Sequence, residues 1–126
     1  MEQSSKSINT VKSITELVTE WKQRLDLGDW EIVVNDNVSP YDMQNLGVAG
    51  ECIWDEVHKA ATINICDEKD YGDRVLPFDK EKTLIHELLH IKFCMLDNGD
   101  GVGAKVQHQL IEDLAKALVR TKRAQR

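Results

Sequence analysis

Residues 83–91 read Thr83-Leu84-Ile85-His86-Glu87-Leu88-Leu89-His90-Ile91, inside a helical pattern that runs from about Asp79 to Leu96. Pro77 precedes the pattern, and Asp97-Asn98-Gly99-Asp100-Gly101 ends it. At about 100° per residue, His86 and His90 lie about 40° apart around the axis and one turn apart along it, so both imidazoles reach one ion. The flanks are apolar on every side. A helix buried on several faces does not carry His-Glu-x-x-His unless something satisfies the polar groups, and a metal does that best. The expected cofactor is Zn²⁺, with His86 and His90 as ligands. Glu87 stands beside both, placed to take a proton from a water whose pKa zinc lowers to about 7. The bland alternative is a polar stripe on a helix surface.

Upstream, Ile8, Val11, Ile14, Leu17, Val18, Trp21 and Leu25 recur at spacings of three and four, which predicts a helix over about 8–27, capped by Asn9 or Ser7 and ended by Gly28. The period then changes. Trp30, Ile32 and Val34 alternate with Glu31, Val33 and Asn35, a strand closed by Asn35-Asp36-Asn37. An irregular connection over 36–48 leads to a second strand at Ala49–Trp54. Asp55 to Lys59 is of hairpin length without an Asn-Gly signature, and a third strand covers Ala60–Cys66. After a charged loop over 67–77 and the histidine helix, a last helix runs from about Val102 to Lys122, with Val106, Leu110, Leu114, Ala117 and Leu118 on one face. Strands grouped before helices predict one α+β domain over residues 1–126. Its helices would pack on one face of a three-stranded antiparallel sheet.

A zinc site needs a third protein ligand and an open position. Glu112 is the leading candidate, because His108, Glu112, Ala115 and Val119 share one stripe of the last helix, and Ala115 is small enough to let that helix approach the first two ligands. His108, Asp97, Asp100 and Asp113 stand behind it. The plain alternative for Glu112 is an exposed i,i+4 pair with Lys116.

The chain has 126 residues, 41% hydrophobic and 30% charged, as an ordinary globular protein has. Its net charge of −6 argues against a general nucleic-acid binder. Lys116, Arg120, Lys122, Arg123 and Arg126 nevertheless make the C-terminus basic, either to complement the helix dipole or to meet phosphates or an acidic partner. Cys52, Cys66 and Cys94 have no Cys-x-x-Cys spacing and read as structural thiols. With a polar N-terminus and no apolar run near the ~20 residues of a membrane span, a cytoplasmic location is expected. Trp21, Trp30 and Trp54 read as core or rim residues.

The stretch Thr83–Ile91 resembles the zincin metallopeptidase signature, and a downstream helix offering Glu112 resembles the gluzincin branch. With the Thr62-Ile63-Asn64-Ile65 strand before it, residues 49–120 are similar to minimal gluzincins and to IrrE/ImmA-type peptidases, whose late helix carries Glu followed by Ala three residues on. The metzincin branch is excluded, since Phe93 and Leu96 occupy its glycine and third-histidine positions. Two positions depart from the pattern. Lys92 replaces an apolar residue of the extended signature, and Lys116 stands where larger gluzincins place an Asp supporting the first histidine.

The resemblance implies a zincin-like fold and peptide hydrolysis, with His86, His90 and Glu112 on zinc and Glu87 as general base and then proton donor to the leaving amine. It implies substrate added by β-augmentation to Ala60–Cys66, with Trp54 beside that strand able to take an apolar side chain. An oxyanion donor is also needed, for which His108 leads, with Tyr71, Arg74 and His58 as rivals. It further implies a narrow protein substrate range, such as a regulatory protein in a phage or mobile-element setting. A SprT-like role at DNA–protein crosslinks is a second enzymatic option, supported by the basic tail alone. From another class, the chain could be a catalytically silent zinc-stapled adaptor or regulatory module. Glu87 favours catalysis, because a purely structural site has no use for a general base.

Overall fold

The computed structural model describes residues 12–44, 49–71, 78–94 and 101–125, with backbone alone over 101–104. Among the described residues it is an α+β fold of three helices and one three-stranded sheet: α1 (Ile14–Arg24), β1 (Glu31–Val38), β2 (Gly50–Asp55), β3 (Ala60–Cys66), α2 (Lys80–Lys92) and α3 (Gly101–Ala124). Short 3₁₀ turns occupy Pro40–Asp42 and Glu68–Asp70. No helix among the described residues is long and apolar enough to cross a membrane.

Ser13 caps α1 through a capping box with Glu16, in place of the expected Asn9 or Ser7, which lie outside the described residues. The helix stops at Arg24, before Gly28, because Asp26 takes a left-handed conformation at φ 58°. Asp26 N then donates to Gln23 O at 3.1 Å and Leu27 N to Lys22 O at 2.8 Å, a Schellman closure that turns Leu27 into the core.

The sheet is mixed and not antiparallel. Its order is β1-β3-β2, with β2 antiparallel and β1 parallel to β3. Strand direction still alternates along the chain, since the end of β1, the start of β2 and the end of β3 meet: Cys66 N donates to Ala49 O and Asp67 N to Val38 O. What differs is the slot taken by β3. Ile63, Ile65 and Cys66 are fully buried, whereas β1 buries no residue completely, so the most apolar strand takes the centre. The hairpin from β2 to β3 closes without Asn-Gly. Asp55 Oδ1 accepts from Val57 N and His58 N, and Lys59 supplies the positive φ of 51°.

Between the sheet and the helices lies one core, with Leu84, Ile85, Leu88, Ile91, Ile63, Ile65, Ile111 and Trp21 at its centre. The core face of α3 is Ile111, Ala115 and Val119. Val106, Leu110 and Leu114, expected on the apolar face, are exposed, although Leu118 does pack against the core. This helix carries two apolar stripes, and periodicity alone fits either.

Much of the basic C-terminus is spent inside the molecule. Arg123 donates to both carboxylate oxygens of Asp79, at 2.9 and 3.1 Å, and Lys122 bridges Glu20 and Glu81. Trp21 Nε1 donates to Glu81 at 2.7 Å, so one polar cluster ties α1, α2 and α3 together. Glu20 accepts from Lys12, Arg24 and Lys122 at 2.8–3.0 Å. Burial raises its pKa, but these hydrogen bonds more than offset that and hold it at about 2. A carboxyl lowered on folding stabilises the fold above its unfolded pKa, here near 4.5, and that contribution is lost as pH falls towards 2. Thermal melts should therefore show Tm falling from about pH 5 to about pH 2.5. Glu20→Gln should flatten part of that fall; an unchanged slope would remove Glu20 from the account.

Candidate metal centre

Buried Leu84, Ile85, Leu88 and Ile91 fix α2 against the sheet, which leaves His86 and His90 on the side facing α3. Asp79 caps this helix, its carboxylate accepting from Lys82 N at 3.1 Å. Ala115, fully buried, lets α3 come close. The approach brings His108 to the other two histidines: ring centroids lie 5.1 Å apart for His86–His90, 4.9 Å for His86–His108 and 5.7 Å for His90–His108. One ligand nitrogen from each of the three falls within 4.8 Å of the other two. Tetrahedral zinc, with Zn–N of about 2.0–2.1 Å, needs nitrogens about 3.4 Å apart, a spacing that small side-chain rotations from this arrangement supply. The donor set therefore fits a divalent metal of borderline softness.

Glu112 also reaches the site, but on its outer side. Its Oε1 accepts from His86 Nδ1 at 2.8 Å, and its Oε2 accepts from Lys82 Nζ at 3.1 Å with Lys116 Nζ at 3.8 Å. Burial pushes this carboxyl up, but the hydrogen bonds from Lys82 and His86 outweigh it, and Glu112 titrates below its ordinary value. An ionised carboxylate only accepts, so His86 carries its proton on Nδ1 and offers Nε2. Burial in turn lowers the His86 pKa, favouring the neutral ring that a metal ligand must be. Of the two residues expected on this stripe, Glu112 on the ion and His108 at the oxyanion, His108 lies in the imidazole cluster and Glu112 is hydrogen-bonded to the Nδ1 side of His86. Lys116 lies on the far side of this carboxylate, 3.8 Å from Glu112 Oε2.

Glu87 is 6% exposed and lies under β2. A Cβ on Gly50 would stand 3.1 Å from Glu87 Oε2 and 2.7 Å from Thr83 Cγ2, so only glycine lets the strand pass this close to the carboxylate. Burial, and then the charge of Glu51, push the Glu87 pKa up to about 8. A divalent cation nearby acts in the opposite direction. Trp54, on the same strand, lies nearly parallel to the His90 ring, 12° between planes at 6.5 Å. The sequence read Trp54 as a core or rim residue, or as a surface for an apolar side chain beside the substrate strand, and gave it no link to His90, because that contact depends on which strand forms the edge.

The remaining candidates have other partners or lie outside the described residues. His58 pairs with Asp55 at the hairpin turn, Tyr71 packs on Phe78, and Asp113 accepts from Gln109 on the exposed side of α3. Arg74, Asp97 and Asp100 lie outside the described residues. The strand expected to receive substrate, β3, is paired on both sides and has no free edge, whereas β2 is an edge strand and contacts α2. Cys52, Cys66 and Cys94 form no disulfide, and burial pushes Cys52 up to about 12. No family model, curated protein or solved structure matches this chain.

Proposed function

We propose that the chain is a small zincin-like metallopeptidase that holds zinc with His86, His90 and His108 and hydrolyses peptide bonds of a narrow set of protein substrates. The observation that carries this reading is the convergence of three imidazoles from two helices within 4.8 Å, with a buried carboxylate, Glu87, next in sequence to the first of them. A bound divalent ion would supply Lewis acidity, polarising a scissile carbonyl and making water nucleophilic near neutral pH. Glu87 takes the proton of that water and returns it to the leaving amine. Glu112 keeps Nε2 of His86 turned towards the ion. An extended substrate adds to the edge of β2, where Trp54 offers an apolar side chain a flat surface beside His90. Three cysteines without a disulfide suit a reducing compartment, and the proposed enzyme is cytoplasmic.

Metal content and cleavage test it together. Elemental analysis of protein purified under metal-replete conditions should give close to one zinc per chain. An unfolded protein substrate should be cut in a reaction that a chelator stops and added zinc restores. Zinc without cleavage across a broad peptide library would favour the zinc-stapled adaptor, and absence of metal would overturn both.

A further inference from the structure

The 24-residue α3 presents a second apolar face, turned away from the core. Val106, Leu110 and Leu114 are 56%, 54% and 39% exposed, and at about 100° per residue they lie roughly opposite Ala115 and Val119. From Leu110 the face continues through Leu114, Ala117, Thr121 and Ala124, spacings of four, three, four and three, which form the seam of a two-helix coiled coil. Thr121 does not spoil it, because its hydroxyl donates back to Ala117 O at 2.8 Å. All five residues are exposed.

We propose that this face pairs with a second copy of the chain, the two α3 helices lying antiparallel about a two-fold axis midway between Leu114 and Ala117. Size and charge choose this occupant and this direction. Antiparallel pairing sets Leu110 against the partner's Thr121 and Leu114 against the partner's Ala117, large on small throughout, which lets the axes approach to the ~8 Å of close helix packing. Asp113 and Arg120 lie on one flank of the seam, seven residues apart. A two-fold axis keeps like flanks together in an antiparallel pair, so Asp113 meets the partner's Arg120, and the reciprocal pair forms as well. In a parallel pair that flank would instead face the side carrying Gln107 and Leu118, and neither charge would find its complement. His108 projects from the other side of the helix onto His86, so pairing leaves the histidine cluster uncovered, and the inference stands apart from the proposed function.

Sedimentation equilibrium over a wide concentration range tests it. The parent should approach twice the 14.4 kDa chain mass. Leu114→Glu should stay at the single-chain mass with an unchanged circular dichroism spectrum, since the side chain is exposed in the folded chain. Asp113→Arg and Arg120→Asp should each weaken dimerisation at least tenfold by setting like charges opposite each other. Mixing these two variants should restore it, because each then meets its complement. A parent that remains monomeric at every concentration, a dimer indifferent to Leu114→Glu, or a mixture no stronger than its components would overturn the proposal.

Discussion

His108→Ala should lose most of its metal, to the same degree as His86→Ala, while Glu112→Gln should keep a metal that binds roughly 10–100-fold more weakly. The contrast follows from what each side chain touches. His108 shares the cluster in which three ligand nitrogens lie within 4.8 Å, and its removal leaves two imidazoles from a single helix. Two ligands fall short of the three protein ligands of an open zinc site. Glu112 has Oε1 on His86 and Oε2 on Lys82, so joining the ion would cost it both hydrogen bonds and leave a lysine ammonium without its anion. Glutamine can still accept from His86 through its carbonyl oxygen, which preserves the tautomer but weakens the orienting charge. Zinc content by elemental analysis, with affinity from chelator competition, separates the two roles. A Glu112→Gln protein empty of metal beside a fully loaded His108→Ala would reverse the assignment.

The placement of these two side chains marks where the sequence stops being informative. His86, Glu87 and His90 are legible because one helix sets their geometry, and helical spacing is known in advance. His108 and Glu112 are four residues apart on one stripe, so both face α2, and spacing cannot say which joins His86 and His90 in the cluster and which reaches the back of His86. That is fixed by how far α3 slides along α2, which depends on how Ile111 and Ala115 seat in the core. The sheet divides in the same way. Alternation in residues 30–35 and 60–66 reveals the strands and their inward faces, but the order β1-β3-β2 comes from competition among strands for the centre. The strand with Ala61, Ile63, Ile65 and Cys66 all buried wins that competition. The order bears on the proposed function, because it leaves β1 and β2 as the edges of the described sheet and moves the proposed substrate contact from β3 to β2. In α3 two apolar stripes gave two answers to one periodicity, and only packing against α2 shows that Ile111, Ala115 and Val119 face inwards.

Glu87→Gln should keep its metal and lose peptide hydrolysis by about 10²–10⁴-fold, the usual contribution of a positioned general base. The amide has the size and planarity of the carboxylate and fits beneath Gly50 and beside Thr83, so the cluster of histidines should be undisturbed. What it lacks is a site basic enough to hold the proton taken from water. The stability of the same variant supplies an independent reading. A carboxylate 6% exposed sits in a place that penalises charge, with a second buried carboxylate, Glu51, close enough to add to the penalty. A residue kept for packing would destabilise the fold when replaced, whereas a neutral isostere here should leave Tm unchanged or raise it. Activity lost while stability is held or gained is the pattern of a group retained for chemistry at a cost to the fold. If Glu87→Gln instead melts well below the parent or loses its zinc, the carboxylate is a structural anchor between α2 and β2, and the adaptor reading gains what the peptidase reading loses.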